Sequence, residues 1–207
     1  MKRVKNIIAL IIIVILMGGL LVVTYFFNKN QIIANEAIDT SKAHLQIFPE
    51  ASQFMDADYN KDLFTSFISN EGFADDVVSI YSVKYAKDAD GRVTGLLIDL
   101  HEYKRNGGAV NTCIGVSIEG TIKEIIILGI TDQKGLDVQI DTPKFLSQFY
   151  NKFVDQFNLV TANVINDNDV LEVSGAHDAS LAMVNGVNAA LCTYTFLDGT
   201  EGGFANY

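Results

Sequence analysis

The chain has 207 residues, 49% of them hydrophobic, with two prolines and 25 acidic against 15 basic side chains. That length and apolar content suffice for one domain with a sizeable core, and so few prolines argue against a linker-rich or disordered protein. None of the acids and three of the bases precede residue 28, leaving 12 positive against 25 negative charges beyond it, a net of −13, which excludes nucleic acid as a partner and anionic lipid as a resting surface.

Residues 7–27, IIALIIIVILMGGLLVVTYFF, contain no charge. At about 1.5 Å rise per residue they reach about 30 Å, the thickness of a hydrocarbon core, and predict a transmembrane helix. A cleaved signal peptide is the competing reading, but it carries a shorter apolar region and a small-residue cleavage site, which VVTYFFNKN lacks. Lys2, Arg3 and Lys5 assign residues 1–6 to the cytoplasm. The expected protein therefore crosses the cell membrane once, with its main domain extracytoplasmic. Apolar residues at helical intervals in QIIANEAIDTSKAHLQIF, ended by Pro49, predict a stalk helix over residues 28–47. Residues 48–207 form the outer domain.

A short helix is expected near residues 61–68. SIYSVKYA, the turn DADGR and VTGLLIDLHEY read as one hairpin, and VNTCIGVSI, EG and TIKEIIILGI as a second. Ile114, Val116 and Ile118 alternate with Gly115 and Ser117, the period of a strand. Thr142 before Pro143 is a helix start whose hydroxyl can cap free N–H groups. Phe145, Phe149, Phe153 and Phe157 recur every four residues, predicting a helix that packs this stripe on the sheet. A last helix should begin near Asp178 or Ala179, with Leu181, Val184, Val187, Leu191 and Tyr194 as its apolar face, before a loop or frayed end in DGTEGGFANY. The fold class is α+β: a transmembrane helix followed by an antiparallel sheet with helices packed against one face.

Few stretches carry chemistry. His44, His101 and His177 show no close pairing and no Cys/His cluster, so no metal site is expected. Cys113 and Cys192 sit among apolar residues as small hydrophobes, with a disulfide between them the alternative outside the cytoplasm. His101 and Glu102 read as a solvated pair at a strand end. Lys104 and Arg105, beside Gly107 and Gly108, read as a solvated hairpin end, or else as a basic loop approaching a phosphate or an acidic partner. In SGAHDAS, residues 174–180, a glycine turn precedes a helix, whose unpaired N–H groups and dipole can receive a phosphate. The alternative is that Ser174 only shapes or caps the turn.

This last stretch resembles the signature D-x-x-S-G-A-T-x-T-S of the FMN-binding domain family, found in the G subunit of the Rnf electron-transport complex and the C subunit of the sodium-translocating NADH:quinone reductase. FPEA at 48–51, NGGAVNTCIGVSIEGTIKEIIIL and DQKGLD at 132–137 resemble, in order, the family's leader, its glycine-rich lead-in with central hairpin, and its E-T-P-G-L-G. The resemblance implies an FMN cofactor, with Ser174, Gly175, Ala176 and Ser180 matching the signature and Gly135 and Leu136 kept from the second motif. It also implies partner subunits in a membrane complex that couples ferredoxin and NAD oxidoreduction to ion movement. This chain would be at most an electron carrier there, with no catalytic residue of its own.

The departures fall on the chemistry. His177 replaces the threonine that in the family holds FMN through a phosphoester, and Leu171 replaces the aspartate. A transferase that attaches FMN needs an alcohol, whereas an imidazole would give a labile phosphoramidate. The expectation is therefore noncovalent FMN, or a redox-silent domain kept for assembly or partner binding. An outer binding module for an unrelated small ligand is a third possibility, because fold does not fix function.

Overall fold

The structure, a computed structural model, describes residues 40–105, 107–131 and 137–200. The expectations for residues 1–6, the transmembrane helix at 7–27, the stalk before residue 40, Gly135 and Leu136, and the tail from 201 lie outside these residues. Two units divide the chain, Met1–Lys42 and Ala43–Tyr207, and the second is described below. Among the described residues no helix is long and apolar enough to cross a membrane.

Both expected hairpins form. Strands β1 (Gln53–Asp56), β2 (Val78–Lys87), β3 (Val93–Tyr103), β4 (Ala109–Ser117) and β5 (Ile122–Ile130) make one antiparallel sheet in chain order. In the β2–β3 turn, Asp88 Oδ1 accepts the N–H groups of Asp90 and Arg92, each at 2.9 Å, and Gly91 takes φ +80°. Aspartate closes this turn through its side chain and glycine supplies the left-handed residue.

Because side chains alternate along a strand, β3 and β4 serve two cores. Leu96, Ile98 and Leu100 join Val110, Ile114 and Val116 on one face, while Leu97 and Cys113 lie on the other. Burial of both faces explains the nearly unbroken apolar run VTGLLIDL. The first face receives helix α2 (Lys61–Asn70), the short helix α3 (Pro143–Leu146) and the 24-residue helix α4 (His177–Thr200). The second is covered by Ala43, Ile47 and Phe48, on or just after the helical segment α1 at residues 40–47. Helices thus cover both faces, not one. Two strand glycines make the close approach possible: a Cβ on Gly95 would lie 2.5 Å from the Phe48 ring, and one on Gly115 2.2 Å from Ile47 Cγ2.

Helix α4 starts one residue before the expected position and is buried far beyond one face. Ala179, Ala182, Met183, Val187, Ala189 and Ala190 are all but inaccessible, as expected of a helix enclosed on several sides.

The aromatic stripe does not form a helix. α3 ends at Leu146, Tyr150 bridges to Ile122 at the start of β5, and Asn151 turns the chain with φ +55°. Phe145, Phe149 and Phe157 still enter the core, their rings meeting edge to face at 5.6 and 5.1 Å, but Phe153 is 79% exposed. The expected helix start does hold, with Thr142 at the N-cap and Pro143 first in α3, but the Thr142 hydroxyl caps no N–H and donates to the Gln139 carbonyl at 2.9 Å. A small parallel pair, β6 (Asn158–Val160) and β7 (Asp169–Leu171), follows, and β7 delivers the chain to the start of α4.

Candidate functional site

Between β7 and α4 lies the turn Glu172–Val173–Ser174–Gly175–Ala176. Its shape has three local causes. Gly175 takes φ +83°, a region closed to most side chains. The Ala176 N–H donates to the Val173 carbonyl at 2.9 Å. The Ser180 hydroxyl, fully buried one turn into α4, accepts the Val173 N–H at 3.0 Å. Ala176 is buried beneath the turn.

Of the sequence-predicted positions, Ser174 lies on the rim of a cleft of about 680 Å³ lined by Gln139, Thr142, Lys144, Phe145, Gln148, Leu171, Glu172 and Val173 as well. That volume falls within the range of small-molecule sites, about 300–1,000 Å³. Gly175 and Ala176 shape the turn behind the rim, and Ser180 secures it from inside. The first-turn N–H groups of α4 have no intrahelical partners and give this end the positive pole of the helix dipole. Among the described residues that line it, Lys144 is the one cation.

His177, at the position where the expected signature has its threonine, opens α4. Its Nδ1 pairs with the Glu172 carboxylate, whose side chain is mostly buried while the imidazole is about half exposed. The side chain at position 177 is thus an imidazole held by a carboxylate, not an alcohol. Of the cleft-lining residues, Lys144 and Ser174 offer a cation and a hydroxyl that an anionic guest could meet.

The walls of the cleft depend on residues that sequence reasoning missed or misread. Gln148 brackets Leu171 as a strand would, its Oε1 accepting the Leu171 N–H at 2.8 Å and its Nε2 donating to the Leu171 carbonyl at 3.1 Å. No sequence pattern marks that role. Lys104 is not in a solvated hairpin end. Its Nζ lies 2.8 Å from Asp137 Oδ2, with the two side chains 0% and 4% exposed. Asp137 begins the 3-10 turn Asp137–Ile140 that carries Gln139 to the cleft, so the ion pair ties the end of β3 to the cleft wall. Arg105 alone matches the solvated expectation.

Glu102 is no solvated strand end either. It is fully buried between the sheet and α4, its Oε1 accepting the Thr112 hydroxyl at 2.6 Å while Oε2 has no partner. Burial holds its carboxyl well above the usual carboxylate range. Its neighbour His101 points away, stacking on Tyr81 at 4.6 Å with Nδ1 2.6 Å from Asn111 Oδ1. Both cysteines are free thiols.

The fold and site define a class: an α+β domain with one antiparallel sheet, in which a glycine turn feeds a long buried helix beside a ligand-sized cleft. No family model matches the chain, and no curated protein does. Among solved structures it is similar to the crystal structure of Shewanella oneidensis NqrC, at 13% sequence identity over 78% of this chain and 86% of that one, with a TM-score of 0.47. At that identity and score the likeness fixes neither family nor activity.

Proposed function

We propose that the chain is a membrane-anchored protein of the FMN-binding-domain type, resembling the G subunit of the Rnf complex, which holds its flavin noncovalently beside the start of α4. The observation that carries this reading is the Ser174–Gly175–Ala176 turn, placed at the N-terminus of a 24-residue helix and on the rim of the 680 Å³ cleft. The phosphate would meet the Ser174 hydroxyl and Lys144, while Phe145, Leu171 and Val173 give the rings apolar walls. FMN, when bound, supplies the electron chemistry; the chain supplies position and electrostatics. Residues 7–27 would anchor it as a single-pass protein, N-terminus cytoplasmic and main domain extracytoplasmic, with other membrane subunits as its redox partners.

A second reading has its own support. The imidazole of His177 engages Glu172, and that carboxylate lines the cleft where a phosphate would come. A domain of this kind that has given up flavin would serve assembly or partner binding.

Titration of the full-length chain with FMN, followed by quenching of flavin fluorescence, separates the two. Saturable binding that weakens at least tenfold in Lys144→Glu, about 1.4 kcal/mol, supports the flavin reading. No binding at high micromolar FMN selects the flavin-free one. After co-expression with a flavin transferase, intact mass should show no added FMN; a gain of one FMN overturns noncovalent attachment.

A further inference from the structure

On the sheet face away from the cleft, three ligand-bearing residues meet in an otherwise apolar core. Asp99 of β3 and Cys113 of β4 are directly paired across the strands, so their side chains rise from the same face, and His44 descends on them from α1. His44 Nε2 lies 3.1 Å from both Asp99 oxygens, and the nitrogen, a carboxylate oxygen and the thiol sulfur all lie within 4.8 Å of one another. All three residues are buried, within a shell of Ala43, Ile47, Phe48, Ala86 and Leu97.

We propose that His44, Asp99 and Cys113 form a binding site for one divalent transition-metal ion of the zinc class. Zinc bonds of about 2.0–2.3 Å to nitrogen, oxygen and sulfur set tetrahedral ligands roughly 3.3–3.7 Å apart, so small side-chain rotations gather the trio around an ion. Charge agrees: a divalent cation with one carboxylate, one thiolate and a neutral imidazole sums to zero, which suits an apolar shell. On binding, the Cys113 proton leaves to solvent and the His44–Asp99 hydrogen bond is exchanged for two metal bonds, with water as the fourth ligand. Such a site pins α1 to the sheet.

The test uses the full-length chain stripped with chelator and titrated with cobalt(II) and zinc. The expected result is one equivalent of cobalt with a thiolate-to-metal charge-transfer band, lost in Cys113→Ser and His44→Gln and kept in Cys192→Ser. Zinc at a hundredfold over its Kd should raise Tm by about 5–10 °C. Absence of the band in the native chain, or its survival in a folded Cys113→Ser variant, overturns the proposal.

Discussion

Glu102 shows what one buried acid does to this fold. Its folded carboxyl is protonated at pH values where the unfolded one is ionised. The unfolded state then binds fewer protons, so stability falls as pH rises from the unfolded pKa, near 4.3, toward the raised folded pKa, at about 1.4 kcal/mol per pH unit for this one group. Glu102→Gln keeps the acceptor for Thr112 and cannot ionise. Urea unfolding at pH 5 and pH 7 should show the difference between variant and native chain moving in the variant's favour at the higher pH; a constant difference refutes the assignment. Lys104 and Asp137 pose a different residue-level question, because each is buried and paired. Lys104→Met takes the cation away from a buried carboxylate and should cost about 3–5 kcal/mol, whereas Lys104→Met with Asp137→Leu should regain most of it. Equal losses in the single and double variants would mean that the pair does not act as a unit.

At the scale of elements, helix α4 sits where it does because Gly186 leaves room for Glu102. A Cβ there would lie 2.3 Å from Glu102 Oε1 and 2.5 Å from its Cγ. Gly186→Ala should therefore destabilise by about 1–3 kcal/mol in denaturant titrations, and Glu102→Ala should suppress that cost. The hairpins were legible in the sequence because their signals are local: alternation within the strands, and Asp88 and Gly91 at the turn. The phenylalanine stripe was not. Its four-residue spacing imitates a helix, but Tyr150 bridges to Ile122, the Asn151 N–H donates to the Ile122 carbonyl, and the sheet takes the chain that local spacing would have wound into a helix. Three of the four rings were correctly assigned to the core while the element carrying them was wrong.

Across the whole molecule, the candidate site combines what could and could not be read in advance. Composition, the two hairpins and the glycine turn before α4 follow from sequence, since each depends on residues close together in the chain. Gly175 needs its positive φ whatever packs around it, and His177 offers no alcohol in any fold. The partners of those residues are a different matter. Gln148 meeting Leu171, Lys104 meeting Asp137, and His44 meeting Asp99 and Cys113 join positions 23, 33 and 55 or more residues apart. No spacing rule connects them, because sheet register and helix docking decide which distant side chains share a buried space. Sequence thus determined the two hairpins, the last helix and the imidazole at position 177; only the tertiary structure decided that Glu102 and Lys104 would be buried, that α1 would cover a second core, and that a ligand-sized cleft would open beside Ser174.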